Sequence, residues 1–378
     1  MTWARARELA AGCVTPVSPR GVPLAAALGA VLAEDARARS DLPQADTSAM
    51  DGWAVAGDPP WQVAGAVLAG SMPPPLRPGT ALGIATGALV PPGADGVLRR
   101  EHGHLSGSLL TPSGGPVDVR GLDLRRAATE CRLGDVVLPA GARIGPVALG
   151  LLAAAGLDAV RVRRPAVDLL VLGDELLDTG PARDGCLRDA LGPLLSAWLP
   201  AAGLALAARR RVPDTVAALA LALRGCLADV VVTTGSTARG PVDHLHAVLA
   251  DAGARLVVDG VDIRPGHPQL LAVLPDGRPV VGLPGNPLAA VSGVLTLLEP
   301  VAATLAGLDP RPAPGRGVLV VDVPAGSGAT RLVPVRGGRP VLFAGPAMLR
   351  GLAAAEAVAV IPPGGAPAGT EVILLALP

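Results

Sequence analysis

AVDLLVLGDEL, residues 166–176, is an apolar run that stops at Gly173 and passes into two acids. The theme returns twice: ADVVVTTGSTARG at 228–240 ends in a Thr/Gly/Ser loop, and RPVVGLPGNP at 278–287 ends in Gly-Asn-Pro. Short apolar runs bounded by glycine read as strands buried on both faces. Between them, the stretches 188–203, 213–225 and 242–253 carry helical spacing. Strands alternating with helices predict a parallel, doubly wound sheet, in which ligands collect at the carboxyl ends of the strands. Those ends are the three loops just quoted.

Outward from this centre the texture changes. Residues 4–12 and 23–36 read as helices, the second because Leu24, Leu28, Val31 and Leu32 recur at helical spacing after Pro23. From 49 to 116 short β-like pieces are broken by proline and glycine, and 143–162 reads as a helix followed by a strand. A linker, LDPRPAPGRG at 308–317, leads to a last β-rich stretch with a short helix at 346–355. The expected fold is therefore multidomain α/β with four units. They are an N-terminal helical and extended unit (1–48 plus 117–162), an inserted small β unit (49–116), a central doubly wound α/β unit (163–308) and a C-terminal β unit (309–378).

Half of the 378 residues are hydrophobic and 17% are charged, enough apolar surface for substantial cores. Lys+Arg and Asp+Glu are both 32, and a net charge of zero points to neither nucleic acid nor an anionic membrane. All the basic residues are arginine, which fits GC-rich codon usage. Cys13, Cys131, Cys186 and Cys226 are far apart with no C-x-x-C, so they read as free thiols of a reducing compartment. The N-terminus, MTWARARELAAGCV, has no apolar h-region, and a cytoplasmic protein is expected.

Asn286 is the only asparagine in the chain. It follows a strand and precedes PLAAVSGVL, which places it at a helix N-cap with Pro287 in the first turn. Gly285 allows close approach of a ligand, and the N–H groups of a helix start attract an anion. The same residues also suit a capped helix that binds nothing. The acids Asp51, Asp123, Glu175, Asp189 and Asp243 each suit a turn or a cap, yet three of them fall near central strand ends, where carboxylates would gather around Mg²⁺. Thr86 offers a hydroxyl to a ligand or to its own turn. Arg264 and His267 follow a further strand candidate at 256–263, flank Pro265-Gly266 and could clamp an oxyanion or form a polar turn. His102, His104, His244 and His246 have metal-pair spacing without a third ligand in register, and read as surface residues.

Taken in order, these segments resemble the molybdopterin molybdenumtransferases, the MoeA and gephyrin E-domain family. The matching blocks include PLAAALGAVLAEDARARSDLPQADTSAMDGWAV, GIATGALVPPGADGVLRRE, DVRGLDL, DVVVTTGSTARGPVD, IRPGHP, VVGLPGNP and the final GPAMLRGLAAAEAVAVIPPGG. The resemblance implies an elongated homodimer that transfers molybdate to adenylylated molybdopterin, releasing AMP with Mg²⁺. It implies contact with other molybdenum cofactor biosynthesis proteins, and a site shared between the α/β unit of one subunit and parts of the other. By motif, Asp51, Thr86, Asp123, Glu175 and Asp243 are carried over as catalytic, and Asp189 with Asp243 as metal ligands. Gly235, Ser236, Arg264, His267, Gly285, Asn286 and Pro287 are carried over as substrate-binding.

The chain also departs from the family. SGGVSVG becomes TGSTARG, with Ser236 for a glycine and Arg239 as a bulky newcomer. Two lysines of a K-P-G-K-P pattern become Arg264 and His267, T-G-D-E-L begins with Leu172, D-S-N becomes Asp189-Ala190-Leu191, and Pro346 replaces a serine. Three functions are therefore in view: an active molybdenumtransferase, a divergent paralogue that binds a pterin nucleotide or a partner protein, and an adenylyltransferase-like module. The flanking TSAMDGWAV block and the last unit count against the third.

Overall fold

The computed structural model describes residues 1–238, 240, 243–309, 315–326 and 328–378. Arg239 and the middle of the 308–317 linker lie outside them. The three quoted runs are the strands Ala166–Leu172, Val230–Thr234 and Pro279–Leu283, side by side in a six-stranded sheet. Ala205–Val212 joins Ala166–Leu172 at one edge, and all four of these strands are parallel. Leu270–Val273 and Arg255–Asp259 complete the other edge in antiparallel pairing. Every residue of Val230–Thr234 and Pro279–Leu283 is buried, which is why the sequence shows runs rather than alternation there. The period of two survives in which core each side chain enters: Leu169, Val171, Val230 and Val232 face one, Leu170, Leu172 and Val231 the other. Truncating Leu169, Leu170 or Leu172 to alanine costs about 2–5 kcal/mol.

The first face packs on the helix Leu191–Ala201 through Leu195 and Leu199, and on the N-terminal helix Trp3–Gly12, whose Trp3, Ala6 and Ala10 are buried at helical spacing. It also packs on the helical run Pro287–Leu305, which contains a π-helical stretch at Val294–Leu298. That run is long and apolar enough to cross a bilayer, but 83% of its 18-residue apolar window is buried inside the protein, so it is a core helix. The second face carries Val216–Arg224 and Leu245–Asp251.

Around this centre lie further sheets. Six strands between Gly52 and Pro112 form one, with Trp61, Leu98 and Leu110 fully buried in it. Arg20–Pro23, Ala159–Arg163 and Val31–Leu32 form another, beside the helix Pro146–Ala154. The C-terminal sheet runs Ile263–Arg264, Thr330–Arg336, Ala357–Ile361, Glu371–Ala376, Gly315–Val318. Its first strand comes from the central segment, so the two units are tied through the backbone.

Two expectations are corrected. Residues 23–36 are not a helix: a single 3₁₀ turn at Leu24–Ala26 stops short of Gly29, which has φ +80°, and Val31 and Leu32 pair with Val162 and Arg163 as a strand. The β-branched Val31 and the left-handed glycine outweigh the helical spacing. The strand candidate 256–263 breaks at Gly260, with φ +79°, beyond which Ile263–Arg264 joins the other sheet. The accessible surface is 17824 Å², against about 13,800 Å² for a compact monomer of this mass. The chain is extended.

Candidate active site

A cavity of about 850 Å³ opens at the carboxyl ends of the three central strands. Its walls include Glu175 after the first, Gly235, Ser236 and Asp243 after the second, and Gly285, Asn286 and Pro287 after the third, together with Asp189. The doubly wound topology thus brings eight of the expected residues to one place. Reasoning from sequence missed Arg188, Asp214, Thr237 and Leu349, which also line it.

The carboxylates differ in what they are free to do. Asp189 is buried; its Oδ1 accepts the Gly192 N–H at 2.8 Å and its Oδ2 meets Arg209 Nη2 at 2.6 Å. It therefore caps the helix Leu191–Ala201 and neutralises an arginine, so that both oxygens of this expected metal ligand already have partners. Asp243 Oδ2 accepts the Gly240 N–H at 2.7 Å. Asp214 and Asp174 exchange backbone-to-carboxylate bonds of 3.2 and 3.4 Å. The Glu175 carboxylate is exposed and has no hydrogen-bond or ion-pair partner among the described residues, its backbone carbonyl accepting the Leu187 N–H. Among those residues no group of three or more His, Cys, Asp or Glu could by itself hold a metal ion. The donors on this wall fit Mg²⁺ only in the mode that uses one or two carboxylates and completes the shell with substrate phosphate and water.

Ser236 adopts φ +59°, a left-handed value that costs a non-glycine residue about 1–2 kcal/mol. Its Oγ accepts the His244 N–H at 2.6 Å, anchoring the start of the helix Leu245–Asp251. Asn286 is the N-cap residue and Pro287 follows it in the first turn, as expected, but the Asn286 side chain makes no capping bond. The N–H groups of Leu288 and Ala289 instead donate to the Pro346 carbonyl at 2.9 and 3.3 Å. Of the two readings of this helix start, an anion site or a capped helix, the second describes these N–H groups, which the C-terminal unit occupies.

Arg264 and His267 do not converge. His267 is exposed, its Nδ1 is 2.8 Å from the Val261 carbonyl oxygen, and it lines neither this cavity nor its neighbour. Arg264 lies opposite Arg331 in the parallel pairing, and both line a separate cavity of about 210 Å³ with Pro346. Asp51, Thr86 and Asp123 line neither cavity; Asp51 and Thr86 lie on the inserted β unit, and Asp123, just beyond it, is tied to it through Arg99. Asp51 Oδ1 accepts the Thr86 N–H at 2.7 Å and its hydroxyl at 2.9 Å, which hold its carboxyl below the usual range, the backbone bond contributing most. Asp123, at φ +51°, is gripped by Arg99 through bonds of 2.8 and 2.9 Å, and that hydrogen bonding is the main reason its carboxyl is also lowered. His102 and His104 are exposed as expected, whereas His244 and His246 are half-buried, His246 pairing with Asp259 at 2.8 Å.

Residues 1–156 match the family described as MoeA N-terminal region (domain I and II), and residues 168–304 the family described as probable molybdopterin binding domain. The molybdopterin molybdenumtransferase of Nostoc sp. (strain PCC 7120) is 32% identical over 308 residues, which is 76% of this chain and 69% of that protein. This chain belongs to the molybdopterin molybdenumtransferase family. The molybdopterin molybdenumtransferase of Synechococcus elongatus is likewise 32% identical, covering 76% of this chain and 75% of its own. Among solved structures, the molybdopterin biosynthesis MoeA protein of Pyrococcus horikoshii OT3 covers both chains fully with a TM-score of 0.73 at 23% identity, a likeness of fold. A second Pyrococcus MoeA structure gives 0.70 at 25% identity, covering 99% of this chain. Within this molybdenumtransferase family several of the chain's departures among the described residues have local accounts. Leu172 is 5% exposed in the second core, and Leu191 is 6% exposed in the first. With Ala190 at the N-cap position, Asp189 supplies the cap.

Proposed function

We propose that this chain transfers molybdate to adenylylated molybdopterin and releases AMP, working in the cytoplasm as a homodimer. The observation that carries this reading is the cavity at the three strand ends, where Glu175 and Asp243 face the glycine-bearing loops Gly235–Ser236 and Gly285–Pro287. Those loops suit a phosphorylated ligand, because glycine permits close backbone approach. The adjoining pocket of Arg264 and Arg331 suits a tetrahedral oxyanion: like charges directly opposite across a strand pair repel unless an anion lies between them. Mg²⁺, when bound, would offset phosphate charge and polarise the phosphoryl group. Glu175 and Asp243 are the residues that would hold it.

Asp51, Thr86 and Asp123 are then proposed to act on the cavity of the partner subunit, since they do not line that cavity in their own chain. Expression in cells lacking their own molybdenumtransferase, with molybdoenzyme activity as the readout, tests the reading; rescue is expected. A second reading, a paralogue that binds a pterin nucleotide without efficient insertion, is favoured by the Pro346 carbonyl on the helix start. A folded protein without rescue would select it.

A further inference from the structure

A cavity of about 440 Å³ adjoins the main one and shares Arg188 and Asp189 with it. Arg209 and Arg211 line it from the edge strand, with Asp178 as its other acid. They are two residues apart, aligned with Leu169 and Val171 of the next strand, so their side chains leave the same face of the sheet. Arg210 leaves the other face, where Asp168 is 3.7 Å away. Arg209 is fixed by Asp189 at 2.6 Å; a Cβ added at Gly192 would collide with both side chains of that pair. Arg211 lies 3.6 Å from Asp178 and donates to the Gly173 carbonyl at 2.9 Å. Three guanidinium groups thus meet two carboxylates. Arg188 is the one left over, with no side-chain hydrogen bond or ion pair among the described residues.

That surplus charge stands beside a main cavity whose other charged lining, among the described residues, is acidic: Glu175, Asp189, Asp214 and Asp243. A phosphate entering there meets repulsion unless a cation receives it. Arg264 and Arg331 line a different cavity and His267 neither. We infer that Arg188, backed by the fixed pair of Arg209 and Arg211, is the binding site for the phosphate of the nucleotide portion of the substrate. A guanidinium matches two phosphate oxygens at once, and neighbours already held by Asp189, Asp178 and the Gly173 carbonyl need no ordering when the ligand arrives. Arg188 itself is exposed, so its replacement leaves the folded core untouched.

The inference rests on reading the cavity as a nucleotide site, and the test separates the two. Calorimetric titration of AMP and of adenosine is made into the wild type, Arg188→Ala and Arg188→Lys. Arg188→Ala is expected to lose about tenfold or more in AMP affinity, the scale of a charge-assisted hydrogen bond. Adenosine affinity should be unchanged, and Arg188→Lys should fall between. Equal AMP affinity in wild type and Arg188→Ala overturns the assignment of Arg188 while leaving the cavity's reading to the rescue experiment. A wild type that binds neither ligand overturns both.

Discussion

Asp189 and Asp243 look alike in sequence, but their surroundings assign them different work. Asp189→Asn keeps an acceptor for the Gly192 N–H and abandons Arg209, which is about one-third exposed. The expected loss is therefore about 1–3 kcal/mol in urea unfolding, less than for a fully buried pair. Asp243→Asn keeps its bond to Gly240 and should unfold within about 0.5 kcal/mol of the wild type while losing most of its activity. Asp51 offers a titration. Its lowered folded value contributes stability that is present above the unfolded value near 4 and is lost as pH falls through the folded one. Thr86→Ala removes the hydroxyl bond and leaves the backbone bond, so the Asp51 carboxyl should titrate at a higher pH in NMR, still below the ordinary range. The loop residues were legible in sequence because they end apolar runs. Arg188 and Arg331 were not, since nothing local marks them: Arg188 matters through Arg209, twenty-one residues on, and Arg331 through a strand pairing with Arg264.

At the level of elements, the run Pro287–Leu305 joins the site to the rest of the molecule. It starts at the cavity under the Pro346 carbonyl, and farther along its π-helical stretch ends at Glu299, a carboxyl that burial pushes up to about 7 despite the opposing pull of Arg7 and Arg143. The unfolded chain ionises this group near 4.5, so stability is full below that value and declines as pH rises towards 7. Glu299→Gln should leave stability at pH 4 almost unchanged and raise it at pH 8 by roughly 2 kcal/mol, allowing for partial exposure. Equal denaturant midpoints for the two proteins at pH 8 would remove Glu299 as the cause. The central strands could be read in sequence because burial on both faces leaves uninterrupted apolar runs, and the long helix because its apolar pattern follows Gly285-Asn286-Pro287. The 23–36 segment misled for a physical reason. Leu24, Leu28, Val31 and Leu32 satisfy a helical template, but Leu28 is 48% exposed, and strand partners far along the chain decide the outcome.

For the whole molecule, the accessible surface exceeds that of a compact monomer by roughly 30%. A C₂ dimer would cover part of that excess and bring a second chain's β unit within reach of the cavity. Light scattering at micromolar concentration should therefore report a dimer. The stronger prediction concerns how the site is shared. Asp51→Ala and Asp243→Asn are each expected to be inactive, because one removes a group proposed to act across the interface and the other a group of the cavity itself. In a dimer carrying one chain of each kind, the cavity of the Asp51→Ala chain keeps Asp243 and receives a normal Asp51 from its partner, so one of two sites is whole. Random exchange makes half of all dimers mixed, and the mixture should recover about one quarter of wild-type activity. If each site were complete within one chain, every site would keep one of the two lesions, and mixing the inactive proteins would restore nothing.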